Sequence, residues 1–188
     1  MRIDFHGDEA WTRDKERDMN ILGQVLSMRL RDVLREDMGG VYGVRVGGSI
    51  TRSPHQERSF VIQFGCDPAR VDELTKAAYA QIAEIAANGT TKLTKDGEPV
   101  EYLDKVKQTF LRSRETEMRT NGFWLGWLSK AYKFGDDPTM ILDPSKVVAR
   151  MTSDNVKAAA KRFLDPKQTY TAVLLPEKDV PAPAPTKP

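Results

Sequence analysis

The chain is poor in the residues that metal and redox chemistry draw on. Its 188 residues include one cysteine, Cys66, and two histidines, His6 and His55. A single cysteine excludes an internal disulfide framework and any cysteine-based zinc site. Cys66 therefore reads as a small buried hydrophobe rather than a nucleophile. The two histidines lie far apart in connector-like segments, whereas a catalytic zinc site draws on two histidines one helical turn apart plus a third ligand. Asp136-Asp137 is the nearest approach to a carboxylate cluster, and it sits in a turn, where solvated acids are common. No serine stands in a nucleophile-elbow context, so a hydrolytic triad has no support. No metal or other cofactor is expected in this chain. Long apolar runs are also missing, as is a signal-peptide pattern at the start, so no membrane insertion is expected. Charge of one sign is scarce: the net charge is +2, with Lys and Arg interspersed among Asp and Glu. That argues against a nucleic-acid partner, which needs clustered positive charge to displace counterions from phosphate.

What is present fits a globular protein, at 39% hydrophobic and 30% charged residues. Residues 1–176 read as one domain. The closing stretch "EKDVPAPAPTKP" is proline-rich, cannot form a packed core, and makes residues 177–188 a disordered tail or linker. Arg2-Ile3-Asp4-Phe5 alternates with period two, like the end of a strand whose neighbours are absent. A domain rarely begins in mid-strand, so the chain is expected to be a fragment of a longer protein.

A long amphipathic helix is predicted from about Trp11 to Asp37. Leu22, Leu26, Leu30 and Val33 carry its stripe, widened by Ile21, Val25 and Met28 for burial against a sheet. Val41 to Ile50 and Ser59 to Cys66 come next as two strands of a hairpin, joined by "TRSPHQER". Asp67 caps a second helix, buried through Val71, Leu74, Ala78, Ile82 and Ile85 and stopped at Gly89. "TTKLTKDGEPV" reads as a turn-rich connector, and a third helix as running from about Pro99 to Arg119. The aromatic stretch with Phe123, Trp124, Trp127, Tyr132 and Phe134 reads as a short helix facing the core. Helices at Ser145 to Met151 and Asp154 to Leu164 precede a last strand, Tyr170 to Leu175. The order predicts an α+β fold, an antiparallel sheet with helices packed mainly on one face.

The stretch "LREDMGGVYGVRV" holds the feature most open to function. Phosphate cradles run strand, glycine turn, helix, so that helix N-terminal amides face the anion. Here the order is helix, glycines, strand, and an anion would meet the negative end of the helix dipole. What remains is Arg35 in the last helical turn and Tyr42 at the strand start. Both suit a structural role: arginine is favoured at a helix C-terminus and could pair with Glu36 or Asp32, and tyrosine is a good strand former. In the functional alternative, the turn brings a guanidinium and a phenol to one side of the sheet, where both could donate hydrogen bonds to a carbonyl oxygen.

Three segments in register resemble the insulinase/pitrilysin zinc-metallopeptidase family. "LSMRLRDVLREDMGGVYGVRV" resembles its helix-to-strand segment. "GEPVEYLDKVKQTFLRSRETEMRTNGFWLGWL" looks like its later helices, and "MTSDNVKAAAKRFLDPKQTYTAVLLPE" like its terminal unit. The resemblance runs from about Arg2 to Pro176. It implies repeated α+β domains paired around a chamber, with zinc held by a His-x-x-Glu-His motif that this chain lacks. The chain is thus similar to a non-catalytic C-terminal domain of a bacterial zinc protease, with its first strands missing. Its implied partners are the zinc-bearing N-terminal half and a peptide substrate, in the periplasm rather than the cytoplasm. Carried over residue by residue, the family's substrate-binding arginine and tyrosine fall on Arg35 and Tyr42, although Met38-Gly39-Gly40 between them departs from the family's turn. The competing reading is a structural or assembly subunit of the same fold without peptidase activity.

Overall fold

The fold, from a computed structural model, is described for residues 1–93 and 99–177. Strand β1 (Arg2–Asp8) leads to helix α1 (Arg13–Leu30), which continues as a π-helical stretch, Arg31–Asp37. Strands β2 (Val41–Ile50) and β3 (Glu57–Cys66) form the expected hairpin. After a 3-10 turn at Pro68–Arg70 come helix α2 (Val71–Asn88), short strands β4 (Thr91–Leu93) and β5 (Pro99–Glu101), and helix α3 (Tyr102–Glu117). Helices α4 (Asn121–Phe134), α5 (Ser145–Arg150) and α6 (Ser153–Phe163) precede strand β6 (Thr169–Ala172).

The main sheet has the order β2-β3-β1-β6 and is antiparallel throughout. Its alternation sorts residues between two faces. Ile3 pairs with Ile62 and Phe5 with Phe60, and all four are buried beneath the helices. Arg2, Arg45 and Gln63 take the opposite, exposed face. Helix α1 lies over β2, with α6 and α2 alongside. Gly48 makes this approach possible, because a Cβ there would come within 2.6 Å of the Phe60 ring and 2.8 Å of Met19 Sδ. The expected apolar stripe of α1 is buried, including Leu22, Val25, Leu26 and Leu30. The α+β reading, with helices packed on one face of an antiparallel sheet, holds.

Helix starts are set by local chemistry. Thr12 accepts a hydrogen bond from the Lys15 amide, Asp67 from Ala69 and Thr152 from Asn155. Buried charge is compensated: Arg29 donates to Gln81 Oε1 at 2.7 Å, and Arg58 donates to the Phe163 carbonyl at 2.8 Å and to Gln168.

Three expectations need correction. The connector after α2 contains the two-stranded ladder β4–β5, and α3 starts at Tyr102, capped by the Glu101 carboxylate, rather than at Pro99. The aromatic helix α4 does not face the core: Ala131 is its buried residue, Tyr132 is 78% exposed, and both tryptophans are half-buried. Trp124 and Trp127 instead donate their indole N–H groups to the carbonyls of Met118 and Pro138. Cys66 is half-buried at the end of β3 rather than fully enclosed. The proline-rich tail lies outside the described residues.

Candidate functional site

The corner between α1 and β2 is built by two departures from regular geometry. At the helix end the hydrogen bonding widens, so that the Met38 amide reaches the Val33 carbonyl at 3.1 Å. Gly39 then takes a left-handed conformation, with φ of 58°, and donates to the Arg35 carbonyl at 2.9 Å. A left-handed glycine just past the last turn ends helices because it has no Cβ to clash. Gly40 meets a different demand. A Cβ there would lie 2.4 Å from Leu74 Cδ2, so α2 packs directly against the turn.

The second departure is in the strand. Val41 pairs with Cys66 and Val44 with Phe64, so Tyr42 and Gly43 together stand against Gly65. This is a β-bulge, which leaves a residue unpaired and redirects its side chain. Tyr42 is one of the two bulged residues, and it is 98% exposed although it lies within a strand of the main sheet. It borders a shallow depression with Gly39, Gly40, Gly65, Cys66 and Asp67.

Arg35 stands on the last π-helical turn with its side chain 53% exposed, and its Nε lies 3.5 Å from Glu36 Oε1. Of the two acids expected as its partners, Asp32 is engaged elsewhere: its Oδ2 accepts a hydrogen bond from Tyr102 at 2.8 Å. Tyr102 is fully buried. Burial, and after it the Asp32 carboxylate, pushes its phenol well above the ordinary tyrosine range. Among the described residues no hydrogen bond or ring contact joins Arg35 to Tyr42. The turn sets the two side chains on one corner, both facing solvent, as two separate donors. Further support comes from the turn before α2, where Arg70 Nη2 donates to the Met38 carbonyl at 3.2 Å.

Among the described residues the available donors do not fit zinc. His6 packs its ring 5.7 Å from that of Tyr170, whereas His55 is exposed in the β2–β3 loop. Asp136 is held by Arg13 and Arg52, and Asp137 caps the adjoining 3-10 turn. Among the described residues no three potential ligands converge.

A larger apolar groove of about 680 Å³ runs between α1, β2 and α4, lined by Ile21, Met28, Val46, Phe110, Trp127 and Ile141. Its sequence signal is faint: a polar flank on α1 (Asn20, Gln24, Ser27) facing side-chain-free Gly47 and Gly48. Burial, then neighbouring Arg13, holds the Arg17 guanidinium below its ordinary range. The Arg114 Nη2 at its margin has no hydrogen-bond acceptor among the described residues, but it is sealed from solvent and so offers no donor to a ligand.

Residues 5–96, just under half of the chain, match the family model of the peptidase M16 inactive domain. Over that stretch the chain is similar to the inactive domain of M16 peptidases. The family model describes a domain without catalytic function, and the matched stretch contains the whole α1–β2 corner. Over 90 residues the chain is 34% identical to the probable zinc protease PqqL of Haemophilus influenzae, covering 47% of this chain and 10% of that protein. It is 25% identical over 111 residues to the chloroplastic stromal processing peptidase of Pisum sativum, covering 59% of this chain and 8% of the peptidase. The chain thus spans about a tenth of the length of these relatives.

The same fold appears in the periplasmic protease PqqL from Escherichia coli, with a TM-score of 0.72 and 24% identity over 94% of this chain and 19% of that one. A peptidase M16 inactive domain from Pseudomonas fluorescens superposes with a TM-score of 0.67 at 21% identity, over 89% of this chain and 39% of that one. Among the described residues no helix of this chain is long and apolar enough to cross a membrane.

Proposed function

We propose that this domain closes the chamber of a zinc metalloendopeptidase and binds the peptide substrate there through Arg35 and Tyr42. The observation that carries the reading is Tyr42 itself. An aromatic side chain left 98% exposed within a strand, on a bulge held by glycines and α2, has no packing role to explain it. Bulges recur beside active sites because they re-aim a side chain. Arg35, on the other side of the turn, adds a guanidinium whose planar fork suits carbonyl and carboxylate oxygens.

In this reading the partner is a zinc-bearing half of the same protease, and the location is periplasmic, as the Escherichia coli relative is described. The zinc there supplies Lewis-acid polarisation and an activated water when bound. This chain's own contribution is positional and electrostatic. The Tyr42 hydroxyl and the Arg35 guanidinium donate hydrogen bonds to the scissile carbonyl and strengthen them as its oxygen gains charge. Because both donors are held by a clamped turn, little reorganisation is needed when that charge develops.

The test is peptide hydrolysis by the enzyme formed with the zinc-bearing half. Tyr42→Phe should lower kcat/KM about a hundredfold, the usual cost of losing one such donor, while thermal unfolding is unchanged because the phenol makes no buried contact. Wild-type turnover by both Tyr42→Phe and Arg35→Ala would instead leave the domain a structural or assembly role.

A further inference from the structure

The proposed role of Arg35 requires its side chain to leave the helix in one direction, and an unbroken α-helix would send it elsewhere. Helix α1 is regular through Leu30 and then widens over Arg31–Asp37. Each such widening adds a residue to the turn, and the residues beyond it are rotated by roughly the 100° that one α-helical residue spans. The direction of Arg35 therefore depends on whether this stretch stays π-helical. Wide turns of this kind are rare, usually functional, and persist where the surroundings over-determine them.

The surroundings here are specific. Asp32, one residue into the wide stretch, accepts the hydrogen bond of Tyr102 at 2.8 Å. Tyr102 is the first residue of α3 and has no exposed surface, so its hydroxyl sits at a fixed point beneath the helix end. At the other end of the stretch, Arg70 holds the Met38 carbonyl and Leu74 fills the space beside Gly40. Val33 and Leu34, between the two anchors, are buried in the core. The wide turn is thus pinned at Asp32 and again at Met38, with Arg35 on its outer side.

We propose that Tyr102 is a positioning residue for Arg35, its hydrogen bond to Asp32 holding the helix end in the wide register that presents the guanidinium to substrate. This rests on Arg35 contacting substrate. The residue supplying the register belongs to α3, some seventy positions away in the chain.

The experiment uses the enzyme assembled with its zinc-bearing half, assayed for kcat and KM, with hydrogen exchange of the segment 31–38 monitored by mass spectrometry. Tyr102→Phe and Asp32→Ala should each lower kcat about tenfold with KM within twofold of wild type, and both should speed exchange at 33–38. Asp32→Asn, whose amide oxygen still accepts the phenol hydrogen, should stay within twofold of wild type in both readouts. Should Tyr102→Phe fail to fold, the Asp32→Ala and Asp32→Asn pair carries the same comparison. Impaired Arg35→Ala beside wild-type Tyr102→Phe would overturn the positioning role while leaving Arg35 as a substrate contact. An Asp32→Asn loss as large as that of Asp32→Ala would also overturn it, since charge rather than the hydrogen bond would then matter. Wild-type kinetics in Arg35→Ala would remove the underlying reading, and the positioning role with it.

Discussion

The α1–β2 corner and the aromatic helix α4 invert what their compositions lead one to expect. The corner is charged and glycine-rich, yet it stands on fully buried side chains: Leu30, Leu34 and Leu74 have no exposed surface. Helix α4 carries two tryptophans and two phenylalanines, yet buries little beyond Ala131. Its attachment is polar. Arg52 lies 4.1 Å from the Trp11 ring centroid and 4.3 Å from that of Phe134, and Arg13 sits 5.0 Å over Trp127. Asp136 joins these two arginines, at 2.9 Å from Arg52 and 2.6 Å from Arg13. Rigidity at an exposed site thus comes from apolar burial beneath it, whereas an aromatic surface can be held by cations and indole hydrogen bonds with little apolar burial.

The sharpest way to break this contrast is to delete one apolar side chain on each side of it. Leu34→Ala should cost about 2–5 kcal/mol, because the cavity beneath the corner cannot collapse against α2 and the sheet. Leu125→Ala, at a position 70% exposed on α4, should change stability by less than about 0.5 kcal/mol. Denaturant midpoints of the two variants measure both. Equal losses would mean that α4 shares the core after all.

The elements of the corner were legible in sequence to different depths. Leu22, Leu26, Leu30 and Val33 announced α1 and its buried face through spacing, because burial against a sheet imposes that period. Gly39-Gly40 announced the stop. The widening at Arg31–Asp37 was not visible, since "RDVLRED" keeps Val33 and Leu34 where an α-helix would also bury them. Nor was the bulge, since it is a property of the pairing of β2 with β3 and appears in neither strand alone. Tyr42 and Arg35 could be named from the resemblance, but the hold on Asp32 could not: Tyr102 is remote in sequence and read as part of a helix. Helix α4 misled for a related reason. Its aromatic spacing is what a core-facing helix would show, and only the positions of Arg13 and Arg52 reveal that cations cover it instead.

Polar attachment should also show in the pH dependence of stability. Glu9 is buried at the end of β1, where Arg162 donates to it at 2.9 and 2.7 Å and Lys15 at 2.7 Å. The Arg162 hydrogen bonds, and then Lys15, lower its pKa from 4.5 to about 2. A depressed carboxyl stabilises the fold above its unfolded pKa and loses that contribution as pH falls through the folded value. The contribution should thus be complete above about pH 5 and fade towards pH 2, reaching on the order of 2 kcal/mol after screening at half-exposed Arg162. Denaturant midpoints of wild type and Glu9→Gln, taken from pH 7 to pH 2, should converge at the acid end. A constant gap would assign the effect to packing.

A smaller loss than that of Glu9 tests the cation clasp itself. Arg52 is one-quarter exposed and makes four contacts of different kinds: two ring faces, the Asp136 carboxylate, and the Phe134 carbonyl at 3.2 Å. Replacing it with alanine should cost about 1 kcal/mol globally, because a partly exposed cation–π pair and a surface ion pair are each worth about that or less. The local effect should be larger than the global one. Losing Arg52 frees the C-terminal end of α4 from the β2–β3 hairpin, so amide exchange should quicken over residues 129–136 and stay unchanged over 31–44. Arg52→Lys sharpens the point, since it keeps the charge and removes the planar guanidinium that stacks between two rings. If lysine restores slow exchange, charge alone holds α4. If exchange stays as fast as in the alanine variant, the stacking of a flat cation between Trp11 and Phe134 is what fixes an aromatic helix outside the core.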